Sequence, residues 1–357
     1  MKKIDKSIFL NIYNYKNPLF PFQIFIGGRG KGKTYSALEG ANNKDIVTGR
    51  YIFLRRTSKE LEMILDNEKK GEGMNPFKKL NSNNNTNYGL KAINPSLAGI
   101  YDRETDNESG RFLYKELVGY ASALSIVAGL RGVDLSDCTD IIYDEFIPEK
   151  HVKAIGKDGA EFEALMNAYE TFNRNRELEG FPPMYLWLLA NSNDIYNAIF
   201  VGLGIVDDVE KMKREGKTDK YYKDRGLAIH ILPDSDEFTA QKSKTALYKL
   251  TAGTRFEEMA LHNNFAYNDF SLIGYKNIKG YQPLCHVDEM YIYKKKGSRE
   301  YYVCHARGKC EGFDSSHEHE VKQFMQKYGL GLYPFYINGL ITFETFDIKT
   351  RILDIIG

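Results

Sequence analysis

The stretch Gln23-Ile24-Phe25-Ile26-Gly27-Gly28-Arg29-Gly30-Lys31-Gly32-Lys33-Thr34 decides the fold. A short, mostly apolar segment runs straight into a glycine-rich turn, and Tyr35 to Ala41 has the composition to continue as a helix. From Gly27 to Thr34 the residues fit G-x-x-x-x-G-K-[ST], in the strand-to-helix context that the motif requires. Gly27, Gly28, Gly30 and Gly32, with Arg29 and Lys31 among them, let successive backbone N–H groups converge on phosphate oxygens. The helix beginning near Thr34 aims its positive end at the same point, and Lys33 adds a full charge. Thr34 supplies a hydroxyl for Mg²⁺, so the stretch is expected to cradle ATP with its metal ion. The bland alternative is a glycine-rich turn with a solvated lysine, which leaves the flanking strand and helix unexplained.

Working outward, Tyr51 to Arg56 is again strand-like, and strand, turn, helix, strand is the opening of a parallel α/β sheet. Farther on, Asp140-Ile141-Ile142-Tyr143-Asp144-Glu145 is a short apolar strand ending in two adjacent acids, in the manner of a Walker B motif. Asp144 is the candidate to hold Mg²⁺ through its water shell, and Glu145 to orient and deprotonate a water that attacks the γ-phosphate. Asp140, where an apolar residue is usual, predicts an unusually short strand; an acidic turn after any strand is the rival reading. The second acid matters most, because a nucleotide switch or a small-molecule kinase needs no water-activating carboxylate beside the metal ligand. Hydrolysis coupled to motion follows.

Met184 to Ala190 is a further buried-type strand, ending at Asn191-Ser192-Asn193. Inserted between the two phosphate-handling strands, it would carry Asn191 to the attacking water or the γ-phosphate; an Asx turn closing the strand fits the residues equally well. Phe172-Asn173-Arg174-Asn175-Arg176-Glu177 ends the amphipathic segment Glu161 to Phe172. Its arginines, two apart, do not share a helix face. One is a candidate arginine finger for a neighbouring subunit's nucleotide, while both also suit a helix C-terminus, where cations are favoured.

The chain has 357 residues, which at roughly 150 per domain means two domains with room for a small third. With 42% hydrophobic and 27% charged residues it has the makings of a packed core rather than a disordered chain. The longest run without a charge, Tyr328 to Phe343, has 16 residues and is broken by glycines and Pro334, short of the roughly 18 that suggest a membrane span. No membrane partner, no secretion signal and a reducing cytoplasm are expected, the last from only four cysteines over this length. Lys plus Arg number 49 against 48 Asp plus Glu, so any nucleic acid must be met by local patches rather than by net charge.

Apolar segments at Met184 to Ala190 and Gly226 to Leu232, with helical stretches at Glu161 to Phe172 and Asp208 to Glu215, carry the sheet pattern to about residue 235. Lys69 to Asn87, with its asparagine run, predicts an exposed insertion loop. Phe238 to His262 reads as two short helices joined at Gly253, Met290 to Lys294 and Glu300 to His305 as strands, and Ser316 to Tyr328 as a helix. The division expected is an ATPase domain over 1–238, a helical linker over 239–268 and a smaller α+β domain over 269–357.

Phe25 to Thr34, Ile141 to Lys150 with Asp144-Glu145-Phe146-Ile147, Phe172 to Glu177 and Leu189-Ala190-Asn191-Ser192 together resemble the DNA-packaging ATPases of phi29-like tailed bacteriophages. The likeness runs to about residue 265 and fades beyond it. It implies a homo-oligomeric ring, expected to be a pentamer, mounted on the portal (connector) protein and a structural packaging RNA. Such a ring drives double-stranded DNA into a procapsid in the host bacterial cytoplasm. It also implies a P-loop NTPase sheet of the additional-strand, catalytic-glutamate (ASCE) type, a small helical linker and a C-terminal ribonuclease-H-like domain without nuclease activity. By the same resemblance Arg174 matches the trans-acting arginine, and Lys59 lies one residue from a lysine also proposed to act in trans.

The C-terminal part carries Cys285-His286, Cys304-His305, Cys310 and His317-x-His319, but no C-x₂-C or H-x₃₋₅-H spacing, and strand alternation puts Cys304 and His305 on opposite faces. Among Asp269, Asp288, Glu289, Asp314 and Asp347 no spacing singles out a two-metal nuclease cluster. Two basic stretches, Lys211 to Arg225 and Lys294 to Arg299, suit sequence-independent phosphate contact or, equally, solvated surface. A chromosomal or conjugative DNA pump and an RNA or portal adaptor without turnover are the rival functions.

Overall fold

The segment ahead of the glycine-rich turn is β1, Phe22–Gly27, and the helix after it is α1, Lys33–Ala41. The computed structural model describes residues 11–28, 30–66, 73–148, 155, 160–191, 194–232, 240, 242–252, 254 and 272–356. The chain forms two units, Met1–Leu203 with Met212–Tyr267, and Gly204–Lys211 with Asn268–Gly357.

In the first unit β1 lies between β7, Tyr185–Asn191, and β9, Leu227–Ile231, all parallel. Next to β7 come β6, Cys138–Asp144, then β2, Arg50–Arg55, then β5, Phe112–Ala123, again parallel. Two antiparallel strands, β3, Tyr88–Asn94, and β4, Leu97–Thr105, extend one edge and β8, Asp219–Tyr222, closes the other. The nine-stranded order is β3-β4-β5-β2-β6-β7-β1-β9-β8. The central strands are buried along most of their length and mostly apolar, as in parallel sheets whose two faces are both covered. Phe25, Phe53, Ile142, Trp187 and Leu189 are all buried.

Two expectations are corrected. Lys69 to Asn87 is exposed over Ser82 to Asn85 as expected but is not a loop there: Lys78–Asn84 is a helix, α3, with Leu80 buried. Residues 67–72 lie outside the described ones. Asn83 and Asn84 stay exposed and donate to Tyr35 Oη and Glu39 Oε1, while Asn81 is turned to backbone groups. Asn81 donates from Nδ2 to the Tyr88 carbonyl at 2.9 Å and accepts from the Tyr88 N–H at 2.9 Å, which turns the chain into β3. The strand before Asp144 is not shortened by Asp140 either. Asp140 is fully buried, accepts from Trp187 Nε1 at 2.8 Å and Thr139 Oγ1 at 2.7 Å, and has Lys16 Nζ at 3.6 Å. A carboxylate with such partners is tolerated inside a strand that an unpartnered one would break.

The second unit has a five-stranded sheet, order β13-β10-β11-β12-β14. β10, Tyr281–Val287, β11, Met290–Lys295, and β12, Tyr301–Cys304, make an antiparallel meander, with β13, Glu311–Phe313, and β14, Ile341–Phe343, added in parallel at its edges. The expected helix over Ser316 to Tyr328 is longer. It runs from Glu318–Phe324 through a π turn, Met325–Gly329, into Leu330–Ile337, so the uncharged run holds half a helix and a strand. A last helix, Phe346–Ile356, packs Ile348 and Ile352 onto Val287, Ile292 and Phe343. The strand expected over Glu300 to His305 ends at Cys304: Cys304 is buried with the rest of β12, and His305, exposed, lies in the bend after it, so alternation within a strand does not separate the two. Of the connector expected over Phe238 to His262, only the short helix Ala246–Leu250 lies among the described elements, and Gly253 lies outside them.

Trp187 is the one tryptophan of the chain, so its fluorescence reports on this sheet. Asp140→Ala strands the buried indole N–H and lowers stability by about 1–3 kcal/mol, read as a lower urea midpoint of Trp187 emission. An unchanged midpoint contradicts the structural role given to Asp140.

Candidate active site

Three strand tips meet at one sheet edge. Gly27 of β1 is level with Asn191 of β7, and Leu189 of β7 is level with Asp144 of β6. The strand carrying Asn191 therefore does insert between the two strands that carry the glycine turn and the paired acids. Gly30 and Gly32 take φ of 83° and 80°, left-handed values that a side chain resists and glycine does not. They fold the turn back so that α1 starts at Lys33. Arg29 lies outside the described residues. A pocket of about 420 Å³ opens here, lined by the turn from Gly30 to Tyr35 and by Asp144, Glu145, Leu189, Ala190 and Asn191.

Lys33 is almost completely buried and donates from Nζ to the carbonyls of Gly27 (2.9 Å) and Gly28 (3.0 Å) and to Asn191 Oδ1 (3.1 Å). Burial drives its pKa from 10.5 down to about 7, more than the nearby Asp144 carboxylate lifts it. Lys31 donates to the Leu232 carbonyl at 3.2 Å. Thr34 Oγ1 donates to Asp144 Oδ1 at 2.9 Å. Burial also raises the pKa of Asp144, to about 6, against the opposing pull of Arg55.

Arg55, which the sequence reading passed over, ties the two acids together. From the tip of β2 it donates at 3.0 Å from Nη1 to Asp144 Oδ2 and at 3.0 Å from Nη2 to Glu145 Oε2. The signal was an arginine pair ending a buried strand next to the acidic one. Its neighbour Arg56 points the other way, into a buried pair with Glu161 at 2.8 Å on the helix α4, Ala160–Asn173. Thr57 and Glu60 then start α2, Ser58–Ile64, with a capping box, and Lys59 is exposed on it. Glu145 itself holds φ of 56°, a value uncommon outside glycine, and its side chain is 55% exposed toward the pocket mouth.

Arg174 is not in this pocket. It follows α4 at the opposite end of the sheet, with φ of 48°, and its guanidinium donates to the Val133 carbonyl ahead of β6. The six residue steps of β6 at about 3.3 Å put roughly 20 Å between that end and Asp144, more than an arginine side chain spans. Arg176 has a different task, bonding the carbonyls of Ser136 (2.8 Å) and Cys138 (3.1 Å).

The basic stretch Lys211 to Arg225 is split among the end of helix Val206–Arg214, β8 and a 3₁₀ turn, and Arg225 caps the Leu203 carbonyl at 2.7 Å. Lys294 to Arg299 covers the end of β11 and the turn toward β12, and Lys295 pairs with Glu300 at 2.9 Å. In the second unit, tertiary structure gathers acids that spacing left apart: Asp288, Glu289 and Asp347 converge on Arg351. The guanidinium occupies their midst, and Asp288 also accepts from Ser315. Asp269 lies outside the described residues.

A sequence-family profile described as Podovirus DNA encapsidation protein (Gp16) matches residues 96–282. The DNA packaging proteins of Bacillus phages PZA and phi29 are each 28% identical over 264 residues, covering 73% of this chain and 67% of theirs. Among solved structures, the bacteriophage Phi-29 viral genome packaging motor assembly superposes with a TM-score of 0.61 at 20% identity, over 98% of this chain and 100% of that one. The Phi-28 gp11 DNA packaging motor does so with 0.55 at 17%, over 99% and 98%. With the glycine turn, the paired acids and the inserted strand on one edge of a P-loop sheet, and a profile match over more than half its length, this chain belongs to the podovirus DNA encapsidation protein (Gp16) family.

Proposed function

We propose that this chain is an ATP-hydrolysing motor that moves double-stranded viral DNA into a procapsid. The observation that carries the reading is the convergence of Lys33, Thr34, Asp144, Glu145 and Asn191 on one pocket through the insertion of β7 between β1 and β6. The pocket fits a magnesium nucleoside triphosphate. An ammonium buried at the cost of its own ionisation calls for an anion beside it, and the Thr34–Asp144 pair offers a hydroxyl and a carboxylate to a divalent cation. ATP with Mg²⁺ supplies the phosphoanhydride bond and the charge that neutralises its oxygens.

The chain's residues then divide the work. The N–H groups from Gly28 to Thr34, with Arg29 and Lys31, hold the phosphates, and Lys33 exchanges its carbonyl partners for phosphate oxygens. Thr34 and Asp144 hold the metal ion. Glu145 takes the proton of the attacking water, for which it must leave Arg55, and Asn191 orients that water. Because Arg174 lies roughly 20 Å from its own pocket, it serves the pocket of an adjacent subunit in a homo-oligomeric ring, taken as a pentamer. We extend the reading to a division into ATPase domain (1–238), linker (239–268) and a C-terminal domain without nuclease activity (269–357). Its partners are the portal protein and a structural RNA. Arg351 among Asp288, Glu289 and Asp347 supports the loss of nuclease chemistry, since a guanidinium stands where cations would be needed.

Glu145→Gln binds ATP with near-normal affinity but loses turnover by about 10²-fold or more, measured as phosphate release with duplex DNA and procapsids. Arg174→Ala is inactive alone and regains turnover when mixed with Lys33→Ala, whose arginine is intact; full activity of Arg174→Ala alone refutes the trans assignment. With Lys33 near pKa 7 in the free chain, it is mostly neutral at pH 8, where the amine keeps at most two of its three hydrogen bonds, and becomes charged beside phosphate. Calorimetry at pH 8 in buffers of different ionisation heat therefore shows uptake of about one proton per nucleotide, absent in Lys33→Met. Asp144, near pKa 6, is already ionised there and contributes nothing to that uptake. No uptake overturns the buried-lysine account.

A further inference from the structure

The loop between α4 and β7 is firmly tied and yet presents two large apolar side chains to solvent. Arg176 N–H donates to Asn173 O (3.2 Å), Glu179 N–H to Asn175 O (3.0 Å) and Phe181 N–H to Arg176 O (2.9 Å). The buried Asn173 closes the loop from within, donating to Glu177 Oε2 at 3.1 Å and accepting from Met184 N–H at 2.9 Å. The Arg176 guanidinium that anchors this loop to the start of β6 also lies over the Phe181 ring, 5.9 Å from its centroid. Leu178 is left 87% exposed, and Phe181, with Arg176 over one face, is still 57% exposed. Single exposed leucines are ordinary. Two apolar side chains held out by a hydrogen-bonded loop, four and seven residues after Arg174, make a preformed anchor of the kind that carries binding energy.

We infer that Leu178 and Phe181 are the anchor by which each subunit docks its Arg174 loop onto the next copy of this chain. This rests on the trans reading of Arg174: the loop that must enter another copy's pocket is the loop that bears the anchor. The acceptor is the exposed methionine pair on and after α2, Met63 (54%) and Met74 (68%), joined by a hydrogen bond from Met74 N–H to Met63 O at 2.8 Å. Met63 lies on α2, the helix that starts three residues after Arg55, which itself holds Asp144 and Glu145. At about 1.5 Å per residue α2 spans roughly 10 Å, so an arginine at the acids and an apolar contact at Met63 are compatible with one short loop. Methionine side chains adapt to such a contact better than branched ones. The incoming Arg174 meets Glu145, half-exposed even while it is held by Arg55, so the carboxylate has room for a second cation.

The test follows ATP turnover of the full chain with duplex DNA across a range of protein concentrations. The proteins compared are wild type, Leu178→Ser/Phe181→Ser, Met63→Ser/Met74→Ser and Arg174→Ala. Binding of a fluorescent ATP analogue to each dilute chain and circular dichroism serve as controls. Both serine pairs are expected to need about tenfold more protein, or above, for half-maximal specific activity, while reaching the wild-type plateau and binding the analogue normally. Curves that coincide with wild type overturn the anchor. So does a lower plateau without a shift, which means the patch serves another partner such as portal or DNA. A shift in the Leu178/Phe181 pair alone overturns the methionine acceptor. Normal turnover of Arg174→Ala sinks the trans reading rather than the anchor, and wild-type specific activity that stays constant at every dilution sinks both.

Discussion

Parallel strands β6, β7 and β1 must end at one level, and every chemical property of this protein's pocket follows from that register. Gly27 lies opposite Asn191, and Leu189 opposite Asp144, so the turn that carries Lys33, the amide between and the paired acids face a single cleft. Side chains in a strand alternate, so a slip of one residue would send Asn191 or Asp144 to the wrong face and part Thr34 from its carboxylate. Side chains beneath the cleft hold the register. The Asp140–Trp187 bond links β6 to β7 deep in the sheet, and Tyr13 and Phe25 stack around the same indole. A polar group in the middle of a buried strand, which weakens the strand when read alone, is one of the pins that keep the cleft aligned.

The cleft is built at an electrostatic cost that shapes what it does. Lys33 and Asp144 are both pushed toward their neutral forms by burial, and in each case desolvation outweighs the favourable opposite charges nearby. Arg55 tempers this by holding Asp144 and Glu145 at equal distances, 3.0 Å each. It also occupies Glu145, whose Oε2 accepts from its Nη2. The same strand tip therefore both maintains the acids and restrains the one that faces the pocket mouth.

The two arginines at the end of α4 divide along similar lines. Arg176 is used up inside its own subunit, clamping the start of β6. Arg174 is held at the far end of the sheet, where it serves no group of its own pocket. Under the function proposed above, this cation, on a tied loop with an apolar tip, is the group that each subunit lends to another copy.

Much of the first unit was legible in the sequence. The glycine turn, the paired acids and the strand ending at Asn191 are local patterns, with apolar runs for strands and glycine where only φ > 0 will do, and local patterns follow from local sterics and burial. The resemblance carried by the same residues led to the right family, which the profile match bears out. What escaped the sequence depended on partners far away along the chain. The asparagine run is joined to β3 because Asn81 bonds Tyr88, Asp140 stayed in its strand because Trp187 reaches it, and Arg55 became part of the pocket because β2 lies beside β6. So too Asp288, Glu289 and Asp347 met only through Arg351. A one-dimensional pattern can say that a polar group sits where burial is expected; only the packed sheet supplies the partner that decides what it does there.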